Sequence, residues 1–239
     1  MISHRFRCIF VHIQRCGGSS VESWITGKDW WLVEPSTKHL LASQARRLYA
    51  RYWDEYFKFA LVRNPFTRMA SCLTFAAHFG LRETEAGVID FSGYRALYGP
   101  DVIIEHDHRF SNRKDLVSNR HTPNCVYGNI LDEPLDFIAR YECLNEDMRY
   151  VREVISHPLK FGIHEARGKT PSKNYSMSVS SQAEVISLYK RDFNRFRYSV
   201  DFDQRRHKPT ATRLTDVTSY GNPPQPTRFW HKWRPRAGG

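Results

Sequence analysis

Apolar residues in this chain fall into short runs separated by polar turns, and the spacing inside each run predicts its conformation. Cys8-Ile9-Phe10-Val11-His12-Ile13 is rich in β-branched and aromatic residues and short enough for one buried strand. Gln14-Arg15-Cys16-Gly17-Gly18 follows as a turn. Ser19 and Ser20 then open a segment in which Val21, Trp24 and Ile25 stand at i, i+3 and i+4, one face of a helix. Residues 30–33 read as a second short strand before the turn Pro35-Ser36-Thr37, and residues 42–53 as one basic amphipathic helix. Residues 56–62 make the next strand. Asn64 suits an N-cap and Pro65 a first helical position, and Phe66, Met69, Ala70 and Leu73 recur at helical spacing behind them. Residues 91–98 suggest a short helix, 135–141 a strand, and 145–155 and 183–196 two further helices.

Composition narrows the class. The 239 residues suit one domain with a sizeable core, or one domain plus a tail, and 41% hydrophobic residues fit a globular protein. No apolar run approaches the roughly 18–20 residues that span a bilayer. The apolar run near the N-terminus is also too short for a signal peptide, so no membrane span is expected. The five cysteines are odd in number and contain no CxxC spacing, which points to reduced thiols in a cytoplasmic protein rather than a zinc site. The net charge of +11 is uneven: residues 204–239 carry eight Lys/Arg against one acidic residue, leaving only +4 on the rest. That segment has five prolines and no helical period, so the expected organisation is a domain over 1–203 and a basic extended tail over 204–239.

Two stretches carry the chemistry. Around Gly17 and Gly18, the free N–H groups of a helix start, the helix dipole and the cation of Arg15 converge, which is the physical recipe for an anion cradle. It is not a Walker A loop, because GxxxxGK[ST] is absent and the cation precedes the glycines. Taken alone, the same residues also suit an ordinary βα turn with two glycines for tight packing. The second stretch puts Arg63 at a strand end and Ser71 two turns into the following helix; an arginine fork grips phosphate oxygens bidentately. Glu105-His106-Asp107-His108 looks like a metal cluster, yet adjacent residues of an extended chain cannot all face one ion, and no metal is expected.

The order HIQRCGGSS resembles the 5′-phosphosulfate loop of sulfotransferases that use 3′-phosphoadenosine 5′-phosphosulfate (PAPS). It is closest to the carbohydrate type that includes uronosyl 2-O and chondroitin 4-O sulfotransferases and bacterial relatives, whose usual wording is HIPKTGGTS. Here Gln14 stands for the proline, Arg15 for the lysine and Cys16 for the threonine. FALVRNPFTRMAS resembles the family's 3′-phosphate signature FVRNPYDRLVS, KHLLASQARRL its HLTAAEL stretch, and DFIARYECLNEDMRYV its DFIGRYENLEEDF block. The likeness runs over about residues 6–201.

The resemblance implies a P-loop-like three-layer α/β fold with a central, mostly parallel sheet flanked by helices. It implies transfer of a sulfuryl group from PAPS to a hydroxyl, on a saccharide in the first instance, with 3′,5′-ADP as the product. His39 would be the general base. Arg15, Cys16, Gly17, Gly18, Ser19 and Ser20 would hold the 5′-phosphosulfate, and Arg63 with Ser71 the 3′-phosphate. Lys169, Ser172 and Lys173, in a basic loop, would add nucleotide contacts, while Arg109, Arg113, Lys114 and Arg120 could face an anionic acceptor. Glu142 reads as a structural partner, with a role near the sulfuryl group as the alternative. Two other readings stay open on the residues alone: a P-loop kinase-like phosphotransferase, against which the missing Walker lysine counts, and a basic nucleic-acid-binding protein, which leaves Arg63 with Ser71 unexplained. The acceptor's identity and the oligomeric state are not legible.

Overall fold

The structure, a computed structural model, describes residues 1–75, 88–89, 104–107, 118–121, 126–162 and 175–209. The basic loop with Lys169, Ser172 and Lys173, the helix expected over 91–98, Arg109, Arg113, Lys114 and residues 210–239 lie outside those segments.

In chain order the elements begin with β1 (Ile2–Ser3), β2 (Cys8–Val11), α1 (Gly18–Thr26), α2 (Ala42–Leu48), α3 (Ala50–Trp53), β3 (Phe57–Val62) and α4 (Pro65–Phe75). They continue with β4 (Val88–Ile89), β5 (Ile104–Asp107), β6 (Ser118–His121), α5 (Tyr127–Ile130), β7 (Phe137–Arg140), α6 (Leu144–Val154), β8 (Ser176–Met177), α7 (Val179–Leu188) and α8 (Lys190–Phe196). The main sheet has the order β1-β2-β3-β7: β1 is antiparallel to β2, and β2, β3 and β7 run parallel. This is a mostly parallel α/β sheet flanked by helices, as the family resemblance implies.

Residues 8–11, 58–62 and 137–140 are buried, as suits parallel strands covered on both faces. The register aligns Phe10 with Phe59 and Phe59 with Phe137, so an aromatic row crosses the sheet; the rings of Phe10 and Phe59 lie 4.9 Å apart. Parallel pairing brings the C-terminal ends of β2, β3 and β7 to one edge. The turns that leave them carry Arg15, Arg63 and Glu142.

Three sequence expectations need correction. Residues 30–33 form no strand: Trp30–Leu32 is a 3₁₀ turn, begun by Asp29, whose carboxylate accepts the Trp31 amide at 2.9 Å, and anchored by the buried Trp30 indole donating to Thr37 Oγ1 at 2.8 Å. Leu32 and Val33 are exposed instead of packed. The single helix over 42–53 is two, broken at Tyr49, and the helix over 183–196 starts earlier, at Val179, and breaks at Tyr189. Both breaking tyrosines are buried, so the chain gives up helical continuity where it inserts a large side chain.

Candidate active site

The turn after β2 is shaped by its backbone. Gly17 has φ 89° and caps α1, a left-handed conformation in which glycine has no Cβ penalty. A Cβ on Gly17 would also meet the Tyr141 ring at 3.2 Å. Gly18 is constrained by space: a Cβ there would lie 2.2 Å from His12 Cδ2, so the helix start rests directly on the imidazole. Arg15 adopts φ 65° without being glycine, a strained position of the kind that clusters at ligand clamps. Gly17, rather than Ser19 or Ser20, is the N-cap, and the two serines occupy the second and third helical positions, partly exposed.

Arg15 and Arg63 meet at this turn. Arg15 Nε donates to Ser71 Oγ at 3.1 Å, and an Arg63 terminal nitrogen reaches the Arg15 carbonyl at 3.4 Å. Arg63 Nε donates to Thr67 Oγ1 at 2.9 Å, and its guanidinium lies 4.5 Å from the centre of the Tyr141 ring. Burial, and after it the repulsion from Arg63, disfavours the charged form of Arg15. Among the described residues Arg63 forms no ion pair with a carboxylate.

The strand-to-helix turn that carries Arg63 is heavily held. Asn64 Oδ1 accepts the Phe66 amide at 3.0 Å, the expected N-cap. The Tyr127 hydroxyl receives the Arg63 amide at 3.1 Å and donates to the Arg63 carbonyl at 2.5 Å. Glu142 accepts the Asn64 amide and the Tyr198 hydroxyl, each at 2.9 Å. Burial pushes the Glu142 carboxyl up, opposed by those hydrogen bonds and by the charge of Arg63.

Beneath the turn lies a buried charge cluster. Glu22, fully buried on α1, accepts from His12 Nδ1 at 2.6 Å, Lys38 Nζ at 2.5 Å and the Trp30 amide at 3.3 Å. Lys38, 1% exposed, also reaches Asp29 at 2.6 Å and Ser19 Oγ at 3.4 Å. Burial alone would raise the Glu22 carboxyl, but His12 and Lys38 draw it below its ordinary value. Burial lowers His12, opposed by the charge of Glu22 and the hydrogen bond to it, and the contact with the Glu22 carboxylate calls for the ring hydrogen on Nδ1. His39 follows Lys38 in sequence; its ring packs edge-on against His12 at 4.7 Å, and its Nδ1 is 3.2 Å from the amide nitrogen Nε2 of Gln14.

The structure thus draws Arg15, Gly17, Gly18, Ser19, Ser20, His39, Arg63 and Ser71 into one region, from segments up to 56 positions apart. Cys16 differs from its neighbours. Its thiol is buried against the Tyr127 hydroxyl at 3.7 Å and pushed up to about 11 by burial, so its side chain belongs to the core and only its backbone to the turn. Sequence reasoning gave no role to Glu22, Lys38 and Arg68, read Tyr141 as architectural, and kept His12 only as a substitute for His39. Arg68 is fully buried and ties the Gln14 carbonyl (3.3 Å) to the Tyr189 hydroxyl (2.7 Å). The available signal was slight: Glu22 stands on the predicted helix beside Val21 and two positions before Trp24, and a charge buried there has to find a partner.

Among the described residues no group of three His, Cys, Asp or Glu is arranged to hold a metal, and no helix is long and apolar enough to cross a membrane. The described cysteines Cys8, Cys16, Cys72 and Cys143 are buried and unpaired. A family model described as "Sulfotransferase family" matches residues 1–199. No curated protein and no solved structure gives a significant match.

Proposed function

The chain belongs to the sulfotransferase family, and from that premise we propose that it transfers the sulfuryl group of PAPS to a hydroxyl of a saccharide, with His39 as general base. The observation that carries this reading is the meeting of Arg15, Arg63 and Ser71 beside a helix start closed down on His12. A donor with a phosphosulfate at one end of its ribose and a phosphate at the other needs two cationic grips a short distance apart. Two arginines joined through one backbone carbonyl suit that need, and the strain at Arg15 has a use if it aims the side chain at the guest.

In this reading Arg63 grips the 3′-phosphate, and the first-turn amides of α1 with Arg15 hold the 5′-phosphosulfate. PAPS supplies the activated sulfuryl group; positioning and charge stabilisation by the protein provide the acceleration. Lys38, through Ser19 and Glu22, ties the segment that bears His39 to the helix that bears the cradle. His39 has to accept the hydroxyl proton on Nε2, which requires Nδ1 to carry its own hydrogen and Gln14 to turn its amide oxygen toward it. Lys169, Ser172 and Lys173 are proposed as further donor contacts. The cytoplasmic location proposed with this function is supported by the unpaired thiols.

Thermal stabilisation by 3′,5′-ADP, compared with ATP and with oligonucleotides, separates the reading from a kinase and from a nucleic-acid binder; only the first ligand is expected to raise Tm markedly. Transfer of label from PAPS to a panel of saccharide, phenol and alkyl alcohol acceptors then identifies the substrate, and the saccharides are expected to carry the label.

A further inference from the structure

Glu142 holds Arg63 from behind without touching its guanidinium. β7 ends at Arg140, and the 3₁₀ turn Tyr141–Cys143 delivers two consecutive side chains to the same arginine. Tyr141 lies against the guanidinium, and Glu142 reaches the backbone beneath it. One Glu142 oxygen accepts the Asn64 amide at 2.9 Å and stands 3.4 Å from Thr67 Oγ1; the other accepts the Tyr198 hydroxyl. Thr67 Oγ1 in turn receives Arg63 Nε, and its own hydrogen goes to the Asn64 carbonyl at 3.0 Å. The Asn64 amide, next after Arg63, is therefore fixed to a carboxylate that Tyr198 anchors to the end of α8, and Thr67 is tied to that turn through the Asn64 carbonyl.

We propose that Glu142 is the positioning residue that gives this cleft its selectivity for nucleotides bearing a 3′-phosphate, by holding the Arg63–Thr67 pair in its gripping geometry. The inference rests on the donor reading above. An arginine side chain has many rotamers, and a fork that must find its geometry on binding loses affinity to the ordering. Asn64 begins a helix, and its amide has Glu142 as the partner that fixes the chain direction immediately after Arg63. Without that carboxylate the amide is left unsatisfied or the turn shifts, and either moves the arginine. The 5′ end of the donor is held by the turn after β2, whose link to Arg63 is the long 3.4 Å contact at the Arg15 carbonyl and which is not hydrogen-bonded to this carboxylate.

The test is calorimetric binding of 3′,5′-ADP and 5′-AMP to the parent, Glu142→Ala, Glu142→Gln and Tyr198→Phe chains. The parent should prefer 3′,5′-ADP. Glu142→Ala should lose about tenfold or more in 3′,5′-ADP affinity while 5′-AMP affinity changes by less than about threefold. Glu142→Gln keeps an oxygen for the Asn64 amide and should recover most of the preference. A loss of general folding would weaken both ligands together, so the ratio of the two affinities reports positioning alone. If Glu142→Ala does not fold, the milder Tyr198→Phe, which frees one carboxylate oxygen, should still lower the ratio. An unchanged ratio in the folded variants, with the parent's preference intact, would overturn the role of Glu142 only. A parent that binds both nucleotides alike would overturn the donor reading and this inference with it.

Discussion

Arg15 and Ser71 lie 56 positions apart in the chain and meet in one hydrogen bond, Nε to Oγ, at 3.1 Å. The contact joins the turn after β2 to the second turn of α4, a link between the two halves of the proposed donor site in which Glu142 takes no part. Ser71 is 2% exposed, and its hydroxyl is positioned by the helix that Asn64 and Pro65 begin. Arg63→Ala should weaken 3′,5′-ADP binding by about tenfold or more, the usual worth of a charged phosphate contact, and Ser71→Ala by less. Arg15→Ala should reduce turnover by about 10²–10³-fold, with Arg15→Lys intermediate, since the ammonium keeps the charge and loses the fork. Calorimetry and steady-state rates at saturating PAPS check these; unchanged affinity in the Arg63 variant would remove the 3′-phosphate assignment.

His39→Ala should lower kcat by about 10²–10⁴-fold with nucleotide affinity little changed, the range of a positioned general base. Gln14 gives a finer probe. Gln14→Glu places a carboxylate beside His39 Nδ1, which favours the protonated ring and should move the acid limb of the kcat profile to higher pH. A pH profile identical to the parent's would show that the two side chains are not coupled in turnover.

Lys38→Met removes the cation that faces both Glu22 and Asp29. Breaking a buried pair on one side costs about 3–5 kcal/mol, because the remaining charge stays buried. Urea unfolding should show a loss of that size. Glu22→Gln with Lys38→Met should recover part of it, since the fully buried partner then carries no charge and the charge that remains, on Asp29, is partly exposed. A loss within experimental error in the single variant would mean that water reaches Glu22.

Asp192 sets a stability dependence of the opposite sign to ordinary acid denaturation. Burial pushes its carboxyl up to about 6 from an ordinary 3.8, opposed by the Tyr127 amide it accepts at 2.8 Å. The folded state therefore holds the proton more tightly than the unfolded state, and the stability this contributes is full at low pH and lost as pH rises from about 4 to 6. Asp192→Asn removes the titration while keeping an acceptor oxygen. The parent's stability relative to the variant should fall by about 3 kcal/mol across that window and be level above pH 7. Equilibrium unfolding of both chains from pH 4 to 7.5 measures it.

Arg205 marks where the expected tail begins to matter. Its guanidinium lies 3.9 Å from the Phe202 ring centre and 4.9 Å from that of Tyr175, and it donates to the Phe202 carbonyl at 2.7 Å. Removal of residues 210–239 should leave Tm and 3′,5′-ADP binding essentially unchanged. Removal from residue 204 onward should lower Tm by a few degrees, since each kcal/mol is worth about 2–4 °C in a chain of this size. If the shorter deletion also destabilises, the tail's Trp230 and Trp233 take part in the fold.

Local physics settled much of this molecule before any contact was known. The strands at Cys8–Val11 and Phe57–Val62, the Asn64 cap with Pro65 behind it and the glycine turn with its cation all rest on neighbours within a few positions. So did the placement of Arg15, Arg63, Ser71 and His39 on strand ends, loops and helix starts, which is what made the family resemblance readable. The tertiary structure decided what local spacing does not encode. It broke two helices at Tyr49 and Tyr189, because burying a large ring outweighed continuing a helix of modest intrinsic preference. It turned residues 30–33 into a 3₁₀ turn, because the Trp30 indole found Thr37 and the Trp31 amide found Asp29. It also gathered His12, Glu22, Lys38 and Asp29 into one cluster, and set Glu142 behind Arg63. A buried charge must have a partner, but the chain alone does not say which; that choice belongs to the parallel register that brings three strand ends to one edge.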